Sequence, residues 1–134
     1  MKRILSRLFA IALVAIIGLT GCSSGTGADG LTGTYTEDTI AVIDSLRTAI
    51  NTSNDDPSRP AIQANAKSKI NAFASRYRRN NSVSGLSSFA TMRTALNALA
   101  GHYSAYPNRP IPAKLKKRLE QEFVQVEAAL RRGA

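Results

Sequence analysis

The sequence predicts an all-α protein, an antiparallel up-down-up-down four-helix bundle. Three observations predict it. Four segments carry apolar residues at spacings of three and four, the period of one helix face. Short runs rich in Pro, Asn, Ser and Asp separate those segments. No segment reads as a strand, and no internal repeat is present. Connections this short make consecutive helices run antiparallel.

The first helix is expected from about Tyr35 to Asn51. Thr34 and Glu37 have the spacing of a capping box, in which the hydroxyl caps an early amide and the Glu reaches back. Ile40, Ile43, Leu46 and Ile50 form its stripe. Asn51 to Pro57 breaks it. The second helix is expected from about Pro60 to Arg79, because Pro suits a first turn. Its stripe is Ile62, Ala66, Ile70, Phe73 and Tyr77. The third runs from about Ser88 to Ser104, with Ser87 or Ser88 as the cap and Phe89, Met92, Leu96, Leu99 and Tyr103 facing inward. Pro107, Pro110 and Pro112 lack the amide donor and end it. The fourth runs from near Pro112 to about Arg132, on Leu115, Leu119, Phe123, Val126 and Leu130.

Residues 1–21 read as an export signal. Lys2, Arg3 and Arg7 precede an unbroken apolar run from Leu8 to Ile17. That run is short of the roughly 20 residues a membrane span needs. Leu19-Thr20-Gly21-Cys22 then resembles a bacterial lipobox, so cleavage before Cys22 and lipidation of its thiol are expected. Residues 22–33 hold four glycines and one large apolar residue, Leu31, and read as a flexible tether. The bundle is expected over residues 34–134.

Composition excludes several chemistries. One Cys forms no internal disulfide, and one Cys with one His completes no structural zinc site. Di-iron bundles need Glu-x-x-His pairs, and no acid occurs between Asp56 and Glu120. Met92 and His102, ten residues apart on one helix, lie about 15 Å apart along its axis and cannot grip one haem iron. No nucleophile motif surrounds His102. Glu37, Asp38, Glu120 and Glu122 read as exposed helix residues. The chain is expected to be no enzyme and to take no cofactor or metal.

Charge is the informative feature. After cleavage the net charge is +6, unevenly spread. Residues 58–118 carry twelve bases and no acid. In the predicted topology Arg76, Arg78 and Arg79 come to the tethered end, and Arg109 with Lys114, Lys116, Lys117 and Arg118 gather at the other. Cations at a helix C-terminus need no further explanation. At the start of the fourth helix the macrodipole disfavours them by about 0.3–1 kcal/mol each. Pairs such as Lys116–Glu120 and Arg118–Glu122 offset part of that. Two readings stand: a solvated face, or a docking patch. Export argues against nucleic acid as the partner.

Several of these stretches carry a resemblance. Ser84-Gly85-Leu86-Ser87-Ser88-Phe89, Leu99-Ala100-Gly101-His102-Tyr103 and above all Tyr106-Pro107-Asn108-Arg109-Pro110-Ile111-Pro112 resemble the cyanobacterial photosystem II assembly and repair lipoprotein family, Psb twenty-seven. Residues 73–79, residues 114–119 and the lipobox fit the same pattern. The resemblance implies a non-catalytic monomeric bundle, lipid-anchored at Cys22 on the luminal side of the thylakoid membrane. It implies binding to photosystem II core intermediates, chiefly the luminal face of a chlorophyll-binding inner antenna subunit, before the manganese cluster and extrinsic subunits are installed. Candidate contacts are Arg76, Tyr77, Arg78, Arg79, Arg109, Lys114, Lys116, Lys117 and Arg118. The alternative is an envelope lipoprotein whose basic face binds anionic lipid or another envelope protein.

Overall fold

Four helices follow one another: α1 (Tyr35–Asn51), α2 (Arg59–Tyr77), α3 (Ser87–Ala105) and α4 (Ala113–Arg131). The structure, a computed structural model, describes residues 29–134. The export segment and Cys22 lie outside the described residues. α1 pairs most extensively with α2, and α3 with α4. The two hairpins then close on each other through α1 with α4 and α2 with α3, while the diagonal pairs stay apart. This is the up-down-up-down order that short connections dictate. One end of the bundle gathers the start of α1, the end of α2, the start of α3 and the end of α4. The other gathers the opposite termini.

The four stripes meet in one core. Val42, Ile43, Leu46, Met92, Leu99, Leu119, Phe123 and Val126 are fully buried. Burying such a side chain stabilises by about 1.5–3 kcal/mol. Tyr35, Phe73, Tyr77 and Phe89 form an aromatic cluster near the start of α1. Phe73 and Tyr77 are 5.0 Å apart between ring centroids, and Tyr35 meets Tyr77 edge-on at 5.3 Å.

The helix faces correct the expected stripes in places. Ile40 is 41 % exposed, and Val42 takes the inward position instead. The apolar face of α1 is therefore rotated from the one drawn through Ile40. Ile62, Leu115 and Leu130 are half-buried, at the rims of their stripes.

Helix starts differ more. Thr34 precedes α1 in extended conformation, but its side chain makes no capping hydrogen bond, so the expected capping box is not formed. Leu86, not Ser87 or Ser88, precedes α3. Ser88 is buried and its hydroxyl meets the Tyr35 hydroxyl at 2.8 Å, joining α3 to α1. At the end of α1, the Thr52 hydroxyl and Asn51 amide donate to the Thr48 and Arg47 carbonyls. Of these, the Thr48 carbonyl is among the last four that the helix leaves open.

The stretch before α1 is the largest departure. The part of the expected tether that is described, Asp29–Gly33, is packed on the bundle. Leu31 is completely buried. The glycines did not mark a loose segment here; Gly30 and Gly33 adopt φ of 76° and 90°, which lets the chain turn tightly over α2.

Candidate docking surfaces

Asp38 organises the end of the bundle at which Leu31 inserts. It lies in the first turn of α1 and is 1 % exposed. Its carboxylate accepts from the Thr32 amide at 2.6 Å, the Thr32 hydroxyl at 2.9 Å and the Gly33 amide at 3.0 Å. The Tyr77 hydroxyl donates to its other side. Burial pushes the Asp38 carboxyl up, but the bonds from Tyr77, Thr32 and Gly33 together outweigh it and hold the group below its usual range. Burial and then the Asp38 carboxylate push the Tyr77 hydroxyl well above its ordinary value. Arg76 reaches the same cluster, 3.1 Å from Asp29 and 3.9 Å from Asp38. Lys69 donates to the Gly30 carbonyl at 3.2 Å.

Burial corrects one expected contact residue, Tyr77, and leaves Arg76 exposed but paired. Tyr77 is 2 % exposed and offers no surface to a partner. Arg76 is engaged by two acids that lie far from it in sequence. Arg78 and Arg79, in contrast, are exposed and take no carboxylate among the described residues. Asp38 was missed because an acid in a first turn usually faces water, where the macrodipole favours it. The available signal was Leu31-Thr32-Gly33, an apolar residue and two free amides a few positions ahead.

The opposite end holds the second cationic group. Arg109 and Lys114 are exposed, as is Lys117, and Lys116 is half-buried. The Arg109 guanidinium lies 5.4 Å from the Tyr106 ring centroid, and Tyr106 is 48 % exposed. Gln63 donates to the Pro107 carbonyl at 3.2 Å, tying α2 to the loop between α3 and α4. Arg59 and Lys116 face a cavity of about 360 Å³ between that loop and the one after α1, with Asn51, Gln63 and Tyr103 in its wall. Arg59 belongs to this group and was not singled out in sequence. Tyr103 is 5 % exposed, with the Lys67 ammonium 5.6 Å from its ring centroid.

Arg118 pairs with Glu122 at 3.1 Å, as its spacing suggests, so it is partly neutralised. Lys116 does not take Glu120. That acid joins Glu127 in holding Arg47 of α1, at 3.2 Å and 2.5 Å. Glu120 and Glu122 are accordingly half-buried rather than exposed. The Glu127 carboxyl is held low, mainly by its hydrogen bonds from Arg47. No group of three metal-ligating side chains occurs among the described residues. Met92 is core, and His102 is buried beside Tyr103 and Tyr106, with Nε2 unpartnered.

A family model described as Photosystem II Pbs27 matches residues 5–130. The chain belongs to this family, written Psb27 in its relatives. The photosystem II lipoprotein Psb27 of Synechocystis sp. is 54 % identical over 99 % of this chain and 97 % of its own length. The photosystem II assembly factor lipoprotein Psb27 of Thermosynechococcus vestitus is 54 % identical over 100 % of this chain and 98 % of its own. The chloroplastic photosystem II repair protein PSB27-H1 of Arabidopsis thaliana is 37 % identical over 74 % of this chain and 58 % of its own. The solution structure of Psb27 from cyanobacterial photosystem II superposes with a TM-score of 0.74 at 53 % identity, over 85 % of this chain and 96 % of that one. Psb27 is a non-catalytic family, and the four-helix architecture is its fold.

Proposed function

We propose that this chain is a non-catalytic, lipid-anchored accessory factor of photosystem II. It acts on the luminal side of the thylakoid membrane and binds assembly and repair intermediates before the manganese cluster and extrinsic subunits are installed. The observation that carries this reading is the likeness at 54 % identity along essentially the whole chain to relatives named as photosystem II lipoproteins. The matched length takes in residues 1–28 as well as the bundle. The proposed domain plan is a signal over residues 1–21, a lipidated Cys22 with a short connection, and the bundle.

The contact proposed is with the luminal face of a chlorophyll-binding inner antenna subunit. Arg109, Lys114 and Lys117 supply exposed charge for it, and Tyr106 the adjoining aromatic surface. Such a patch steers encounter and favours acidic loops, and its contribution falls as salt screens it. Anchoring by lipid confines the bundle to the membrane and raises its local concentration at the partner.

The test is a pull-down from detergent-solubilised thylakoids with tagged mature protein, at low and high salt. Recovery of photosystem II intermediates lacking the extrinsic subunits, reduced at high salt, is the expected result. Recovery of no photosystem II subunit by a folded bait overturns the proposal and favours the envelope-lipoprotein alternative.

A further inference from the structure

The bundle has two exposed basic ends, and chain length separates them. Six residues lie between Cys22 and Asp29. An extended chain of that length brings Asp29 no farther than about 25 Å from Cys22. Asp29 is fixed, through Arg76 at 3.1 Å and through the buried Leu31 two residues on, to the end of the bundle where α2 and α4 finish. A helix of 19 residues such as α4 is about 28 Å long. A lipid on Cys22 therefore confines the α2–α4 end to within about 25 Å of the membrane surface, while the opposite end has a further helix length of reach.

We propose that this near end is a second, electrostatic membrane contact: Arg78 and Arg79 after α2, with Arg131 and Arg132 closing α4, rest on anionic lipid headgroups. All four arginines are exposed, and none pairs with a carboxylate among the described residues. Glu37, in the first turn of α1, is the exposed acid on the same end, and Glu127 feels Arg131, but the four guanidinium groups outnumber them. The competing acids Asp29 and Asp38 are already taken up by Arg76 and Tyr77. Guanidinium groups form paired hydrogen bonds to phosphate, the acidic group of such headgroups. The two basic ends then have different partners: lipid below, and protein at Arg109, Lys114 and Lys117 above.

This inference rests on the lipidation in the proposed function but on no photosystem II subunit, so it can fail or stand separately. Acylation consumes the thiol of the only cysteine, so one introduced cysteine takes a fluorophore uniquely. The lipidated protein is labelled at Ser82→Cys, between α2 and α3, or at Asn108→Cys, between α3 and α4. It is placed on phosphatidylcholine vesicles with and without phosphatidylglycerol, together with a headgroup-attached quencher. Quenching at position 82 well above that at 108, strengthened by phosphatidylglycerol and weakened by salt, is expected. Equal quenching, or more at 108, overturns the orientation. The variant with Arg78, Arg79, Arg131 and Arg132 all changed to Glu, checked as helical by circular dichroism, should lose the phosphatidylglycerol effect. Without the acyl group, as Cys22→Ser, the unaltered protein should bind phosphatidylglycerol vesicles at least about tenfold more tightly than this variant does. In the lipidated protein, reversal of Lys114 and Lys117 should leave the phosphatidylglycerol effect on quenching at position 82 in place, as the control for charge at the other end. Binding unaffected by the arginine reversals overturns the headgroup contact.

Discussion

Asp38 shows how much one side chain can settle. It serves two loop amides, a hydroxyl of that loop and the Tyr77 hydroxyl at once. Asp38→Ala leaves the buried Tyr77 hydroxyl without its acceptor and takes away the acceptor of the Thr32 and Gly33 amides. A loss of about 2–4 kcal/mol is expected, read as a lowered urea midpoint at neutral pH. The pH dependence has a definite sign. The folded carboxyl sits below its unfolded value, so its contribution is complete above the ordinary Asp range and is lost as pH falls through the folded value. Tyr77 works in reverse: its folded hydroxyl holds its proton above the unfolded value, so its contribution is present below the ordinary Tyr range and is lost as pH rises beyond it. Denaturation midpoints across pH should therefore fall at both extremes, and Asp38→Asn should flatten the acid side. None of this was legible in the sequence. Asp38 and Tyr77 are 39 positions apart, and a count of signs treats every acid and base as free.

The helices themselves were legible, because burying one face requires the period that the apolar residues display. Boundaries followed wherever Pro or a run of polar residues interrupts that period. Caps were not legible: Thr34 and Ser88 have capping chemistry, yet one is idle and the other is spent on Tyr35. The segment before α1 hid its role because glycine content looks the same in a loose linker and in a tight turn. Leu31 decides between them, and its truncation is the test. Leu31→Ala should cost about 2–5 kcal/mol, as deletion of a core side chain does; an effect within error would return the segment to the status of a tether. Between α1 and α4, Arg47 joins two carboxylates of the facing helix. Arg47→Met should destabilise by about 1–3 kcal/mol, between the surface and buried limits for ion pairs. Glu120→Gln and Glu127→Gln, combined with it in a double-mutant cycle, apportion the loss.

At the scale of the molecule, an uneven charge distribution becomes two poles. The sequence located the cations but not their availability: folding pairs Arg76 with Asp29 and Arg118 with Glu122, while bringing Arg59 to the far end. The lysines opening α4 stand where the macrodipole opposes them. Lys114→Glu with Lys117→Glu should therefore raise the melting temperature, by about 0.3–1 kcal/mol of stability per site. The same variant should recover less photosystem II from thylakoids. A protein made firmer yet poorer at its task would mark these lysines as retained for contact; unchanged recovery would leave them a solvated face. The burial of Leu31 has a mechanical consequence as well. With the lipid on Cys22 as proposed, any pull on it would enter the bundle at Leu31 and the Asp29–Arg76 pair, not at the first turn of α1. The load is shared across α1 and α2 from the outset, so extraction from the membrane strains a packed joint and not the free end of one helix.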